Sequence, residues 1–263
     1  ALYNAGAAIF RMIGDSKIVM LMSLFMNGIN IIGNAILLYG LKWGLEGIAI
    51  PTLISRMIAG VIMIVLLFNQ EKVLHFSHPI VVKCQWLLLK KILHIGVPNG
   101  LENSMFQLGK IFILSMVSSF GTTSIAANAL SNTLVTFQIL PGIAMGLALL
   151  TVTVQSIGLG SYEQVRYYTK KIVILTYFMI WVTALSIIVL LPVFLEIYGL
   201  SYEATQLTTQ RIIYHGICIF TIWPLSFILS NTLRAANDVK YCMWVSILSV
   251  WIFRIGFSLI LGK

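Results

Sequence analysis

Seven stretches of the chain, at 18–40, 47–68, 92–119, 123–157, 172–198, 205–233 and 241–261, each run for more than twenty predominantly apolar residues. About 20 such residues in a helix cross the hydrocarbon core of a bilayer. Lipid offers no hydrogen bonds to the backbone, so each stretch has to be helical. Residues 1–10 are too short to cross alone and read as the tail of another helix. With 59% hydrophobic and 10% charged residues, the chain cannot give a soluble domain its polar coat. The fold class expected is all-α: a polytopic bundle of membrane helices.

Assigning sides alternately sorts the basic residues. The loops at 11–17, 69–91, 158–171 and 234–240 hold Arg11, Lys17, Lys72, Lys83, Lys90, Lys91, Arg166, Lys170, Lys171, Arg234 and Lys240. The opposite loops, at 41–46, 119–123 and 199–204, and the C-terminal end hold only Lys42 and Lys263. Eleven against two marks the first set as cytoplasmic. The formal charge of +9 is thereby a mark of topology in a multi-pass cell-membrane protein, and no nucleic-acid partner is expected. Cys84, Cys218 and Cys242 are scattered without a CxxC pair, and neither a disulfide framework nor a metal site is expected. His75 and His78 fall in the cytoplasmic loop, and His215 reads as near the outer end of its span.

The stretch 69–91 is the one long polar loop, with a short amphipathic segment from Ile80 to Leu89 suited to the membrane interface. It divides the chain into 1–68 and 92–263. Around it lies a repeat. RMIGDSK (11–17) and RAANDVK (234–240) share Arg, Asp and Lys at the same spacing, and the register continues through Met20 with Met243 and Ser23 with Ser246. The copies are six spans apart, and an even number returns the chain to the same side. That is a parallel repeat of two six-span lobes. On this reading 1–68 is the end of a fourth span with the fifth and sixth spans of one lobe, and 92–263 is five spans of the other. A parent of twelve spans is expected, with one more span after Lys263. Within the motif, Asp15 and Asp238 can cap the next helix through backbone amides, with Arg11, Lys17, Arg234 and Lys240 as sidedness markers, or the set can touch substrate.

Polar residues inside spans need a reason. Glu102 lies 11 residues beyond Lys91, about 16 Å along the helix, which sets it close to the midplane. A charge there costs about 2.5–3.5 kcal/mol on insertion scales. No basic residue stands at i±4, so Glu102 reads as a carboxyl that takes and releases a proton, or as one bonded to neighbouring helices. Asn99, Asn103, Gln107 and Lys110 form an adjoining stripe, and Asn128, Asn132 and Gln138 follow on the next span. Cleft lining for a substrate and interhelical bonding both account for them. In the first lobe Ser23, Asn27, Asn30 and Asn34 make another stripe. Arg56 and Arg254 sit deep in their spans, where pairing or snorkelling accounts for them. Pro141-Gly142 is expected to interrupt 123–157, with Gly142 and Gly146 allowing close helix approach, and Pro224 to kink 205–233.

FRMIGDSK (10–17), NGINIIGNAILLYG (27–40), GVPNGLENSMFQLGK (96–110), AANAL (126–130), PGIAMGLAL (141–149), LRAANDVK (233–240) and WIFRIG (251–256) resemble the MATE family of multidrug and toxin extrusion transporters. The resemblance covers essentially the whole chain and implies two six-span lobes. It implies secondary active efflux of small organic, often cationic, compounds in exchange for H⁺ or Na⁺, and the full-length protein is expected to be a monomer with no enzymatic activity and no bound cofactor. Family members bind a cation in the first lobe through a first-span Asp and Asn and Asp residues further on, positions that Asn4, Asn30 and Asn34 could match. The first-span Asp is not in this chain, and Asn34 is neutral. Some relatives carry an acid on the span corresponding to 205–233, and here none stands between Glu203 and Asp238. A lipid-linked oligosaccharide flippase of similar architecture is the alternative, and it calls for more charge in the cleft. A seven-span receptor and a membrane-embedded enzyme fit less well with the parallel repeat and with the lack of a second acid or base near Glu102.

Overall fold

A computed structural model describes residues 2–44, 46–68 and 85–261. Among the described residues every regular element is helical. The chain divides into two compact units, Ala1–Cys84 and Gln85–Lys263.

The first unit holds α1 (Leu2–Ile13), α2 (Ser16–Asn34), which continues as a π-helix through Ala35–Gly40, and α3 (Glu46–Leu67). Phe10, Ala7, Met22, Ala59, Met63 and Leu67 form its core. The second unit holds α4 (Trp86–Ser119), α5 (Thr122–Gly158), α6 (Tyr162–Tyr198), α7 (Tyr202–Thr221), α8 (Trp223–Ala235) and α9 (Val239–Leu248). A π-helix at Ser249–Gly256 carries α9 on into α10 (Phe257–Leu261). Leu130, Leu134, Ile187, Leu191 and Ile212 join α5, α6 and α7, and Ile180, Ala184 and Ile219 extend that seam. Large apolar side chains also cover the outside: Leu24 is 71% exposed, Val189 74% and Ile260 73%. In water such a coat would collapse, whereas lipid solvates it.

Among the described residues, five helices are by length and composition apolar enough to cross a membrane, and six if the bent pair α7–α8 counts as one span. The expected seventh, α4, is long enough at 34 residues but falls short in hydropathy. Glu102, Asn103, Gln107 and Lys110 dilute it.

Several expected boundaries move. Of the loop 69–91, residues 69–84, including Lys72, His75, His78, Lys83, Cys84 and the start of the Ile80–Leu89 segment, lie outside the described residues. Trp86 to Lys91 are the first turns of α4. The loop 158–171 shrinks to three residues, because α6 begins at Tyr162 and carries Arg166, Lys170 and Lys171 in its opening turns. Lys171 lies 4.6 Å from the Tyr167 ring centre, one turn back. Pro141 does not interrupt α5, which runs through it. Pro224 does mark a break: α7 and α8 meet at Ile222 with a 51° bend. Pro224 brings no amide donor into the first turn of α8, where none is needed.

The repeated motif is a backbone device. After α1, Asp15 N–H donates to Phe10 O (2.9 Å) and Gly14 N–H to Arg11 O (3.0 Å), with Gly14 at φ 92°. After α8, Asp238 N–H donates to Leu233 O (3.0 Å) and Asn237 N–H to Arg234 O (3.0 Å), with Asn237 at φ 69°. Both are Schellman turns, closed by the two residue types that best tolerate the left-handed region. A third closes α5 at Gly160. The expected caps are corrected: Asp15 and Asp238 occupy the N-cap positions of α2 and α9 but make no side-chain cap bond there.

Candidate functional site

Glu102 is buried on α4, and its Oε1 accepts a 2.6 Å hydrogen bond from Arg234 Nη2 at the end of α8. The carboxyl, which has no basic residue within a turn of it on α4, is thus bonded to a neighbouring helix, the second of the two readings its sequence position allows. The partner comes from the repeated motif, whose arginine reaches inward here. Arg234 also donates to Asn231 Oδ1 (3.4 Å), and Asn231 Nδ2 donates to Phe227 O (3.3 Å). A Cβ at Gly146 on α5 would stand 2.5 Å from Asn231 Nδ2, so the glycine lets α8 close against α5 and fixes where Asn231 sits. Glu102 Oε2 and Arg234 Nε are buried without partners.

The level of Glu102 follows from how α4 packs. A Cβ at Gly109 would approach Val250 to 2.7 Å, which sets the register of α4 against α9 and its π-helical continuation. Seven residues earlier, Glu102, at the middle of α4, comes level with the first turns of α9, about 7 Å from the Arg234–Lys240 turn. Lys240 is exposed beyond that turn.

The stripe beside Glu102 does not gather around it. Asn103, Gln107 and Lys110 are exposed while Glu102 is buried against α8, and Asn103 Nδ2 donates back to Asn99 O (2.9 Å). Lys110 Nζ lies 5.0 Å from the Phe106 ring centre, and Arg254 Cζ lies 5.5 Å from the same centre.

A second polar set joins α5 to α7. Arg211 donates through Nη1 to Asn128 Oδ1 and through Nη2 to Asn132 Oδ1 (2.8 Å). One turn on, His215 Nδ1 pairs with Gln138 Oε1 at 3.0 Å, and Gln138 is fully buried with its Nε2 unpartnered. The sequence marked the three amides, placed His215 near the outer end of its span and gave Arg211 no role. His215 is not near the outer end: it stands 13 residues past Tyr202, about 20 Å along α7. The available signal was the i, i+4 spacing of Arg211 and His215, which sets both on one face of α7.

In the first unit Asn34 Nδ2 donates to Asn30 Oδ1 (3.1 Å), Asn30 Nδ2 to Thr52 Oγ1 (2.9 Å), and Thr52 Oγ1 to Ile48 O (2.8 Å). Asn34 Oδ1 is buried without a partner. Gly33 lets α2 and α3 approach there, since a Cβ on it would meet Pro51 Cβ at 2.6 Å. Asn4 is not brought to this pair. It is exposed on α1, beside Tyr3, whose Oη lies 2.6 Å from Ser23 Oγ. Asn30 is seven residues further along α2 than Ser23, about 10 Å. Among the described residues no group of three His, Cys, Asp or Glu side chains is placed to hold a metal ion.

Comparison with known proteins agrees with the fold. The MatE family model matches residues 98–260. The chain is 26% identical over 274 residues to the probable multidrug resistance protein YoeA of Bacillus subtilis strain 168, covering 99% of this chain and 58% of that protein. A solved outward-facing multidrug resistance MATE transporter of the MOP superfamily superposes with a TM-score of 0.88 at 19% identity, over 98% of this chain and 58% of that one. A Pyrococcus furiosus transporter of the MOP superfamily, whose binding pocket is described as of reverse polarity, superposes with a TM-score of 0.87 at 20% identity, over 99% and 58%. The chain thus spans under two thirds of the length of the proteins it matches.

Proposed function

As the chain belongs to the MatE family, we propose that the protein carrying it is a secondary active transporter that exports small organic compounds across the cell membrane by antiport with H⁺ or Na⁺. It is not an enzyme on this reading, in keeping with a Bacillus subtilis relative and a solved structure that are both described as transporters. The turns at 11–17, 159–161 and 234–240 face the cytoplasm in this reading, since the basic residues gather at that end.

One observation carries the coupling role: Glu102 spends one carboxylate oxygen on Arg234 and keeps the other buried and unpaired. A proton or Na⁺ arriving at Oε2 removes negative charge from the pair and weakens its hold on Arg234. Arg234 closes α8, the half-helix beyond the 51° bend. Binding of the coupling ion is thereby tied to the position of α8, and a ligand that distinguishes two positions shifts the balance between them. Asn30, Asn34 and Thr52 offer a second set of amide and hydroxyl oxygens in the first unit.

The test is Glu102→Gln in the longest protein that contains this chain, reconstituted in liposomes. Substrate flux driven by a proton or sodium gradient should fall at least tenfold, while substrate counterflow without a gradient persists. Gradient-driven flux at the wild-type rate would remove Glu102 from the coupling role.

A further inference from the structure

Lys110 and Arg211 of the second unit stand at one depth and Arg254 meets Lys110 over one ring, with no acid among the described residues to answer the three. Lys110 lies nine residues before the outer end of α4, Arg211 nine residues after the outer start of α7, and Asn132 ten residues after the outer start of α5. Each is about 14 Å inside its helix end. Arg254 shares the Phe106 ring with Lys110 and repels Arg211 electrostatically. Among the described residues none of the three forms an ion pair, and the single buried acid of this unit, Glu102, is taken by Arg234.

The hydrogen-bond inventory is equally one-sided. Asn128 and Asn132 both turn their carbonyl oxygens to Arg211, which leaves their amide groups as donors. These neutral oxygens orient the guanidinium without cancelling its charge. Lys110 has three donors and Arg254 five, and neither gives one to a side chain among the described residues. The layer therefore offers donors and positive charge, and its strongest acceptors are spent. Three such cations at membrane depth are costly unless something neutralises them.

We propose that this layer, Lys110, Arg211 and Arg254 with the amides of Asn128 and Asn132, binds an oxyanion, a carboxylate or phosphate group. The proposal rests on the transport reading for its consequence: the cargo is an anionic or zwitterionic amphiphile. The planar fork of Arg211, held open by two asparagines, suits the two oxygens of such a group. A cationic cargo, which the family resemblance implies, meets three like charges here.

The test uses the longest protein containing this chain, purified in uncharged detergent, with carboxyfluorescein as anionic probe and ethidium as cationic probe. Fluorescence anisotropy should show carboxyfluorescein binding that weakens with salt. Lys110→Gln and Arg254→Gln should each weaken it about tenfold without weakening ethidium binding, and Lys170→Gln at the basic end should leave it unchanged. Displacement by phosphatidylglycerol but not by phosphatidylcholine assigns the site to a lipid headgroup, and displacement by neither assigns it to soluble anions. Flux in phosphatidylcholine liposomes separates the two claims. Binding without flux keeps the oxyanion site and overturns transport. Ethidium flux without carboxyfluorescein binding overturns the site and keeps transport. Equal loss of both probes in the glutamine variants also overturns it.

Discussion

Replacing Gly142 with alanine puts a methyl group against the face of Trp223, at the seam where α5, α6 and α8 meet. The added Cβ would collide with Trp223 Cζ3 and stand 2.9 Å from its Cη2 and 2.8 Å from Ile180 Cδ1. Neither neighbour yields easily. Ile180 is fully buried, and the Trp223 ring is stacked on Phe227 at 4.8 Å beside the buried Pro224. Overpacking of this kind costs about 1–3 kcal/mol, and turning the ring away forfeits a further ~1 kcal/mol of stacking. Alanine returns about 1 kcal/mol of helix propensity. The net is a destabilisation of about 1–3 kcal/mol, reckoned from those terms. Gly100→Ala is the matched control, since its Cβ would meet nothing within 4 Å, and it should gain up to ~1 kcal/mol. The two unfolding midpoints in detergent should therefore differ by about 5–15 °C. Adding Trp223→Leu to Gly142→Ala should recover much of the gap. Equal midpoints for Gly142→Ala and Gly100→Ala would refute the close-approach argument.

Three further outcomes are expected. Asn237→Gly should leave stability unchanged or raised, whereas Asn237→Ala, at φ 69°, should cost about 1 kcal/mol, read from the same midpoints. Pro224→Ala should relax the 51° bend, and spin labels at Gln206 and Leu233 should move apart by about 4 Å if the helix straightens; an unchanged distance would assign the bend to tertiary packing instead. Gln138→Leu alone should be more destabilising than Gln138→Leu with His215→Leu, by about 1–3 kcal/mol, because the single change strands the imidazole that now meets Gln138 at 3.0 Å. A double-mutant cycle in detergent checks that difference.

Much of the fold was legible because its signals are local. Apolar length marked most helices, and Gly142 with Gly146 marked the close approach to α8. Pro224 marked the bend. The local signals failed where two effects compete. Pro141 loses a hydrogen bond, yet α5 carries it without a break. Arg166, Lys170 and Lys171 looked like loop residues, although charge at a helix end outside lipid is compatible with helix. Asp15 and Asp238 were read as caps, whereas the backbone of the Schellman turns closes both corners.

The site was less legible for a different reason. Glu102 meets Arg234 across 132 residues, Arg211 meets Asn128 across 83, and His215 meets Gln138 across 77. A sequence reports how each helix sits in its own solvent, through apolar length, sidedness and the residues that permit a turn. Those alone determined a polytopic helical protein with its basic residues at one end and a repeated corner on that side. Partners depend on the rotation and register of one helix against another. In lipid, apolar burial is the same on every face, so small residues and polar bonds at the interfaces set that rotation. Only the tertiary structure could therefore pair Glu102, leave its second oxygen unbonded, and bring Lys110, Arg211 and Arg254 into one unneutralised layer.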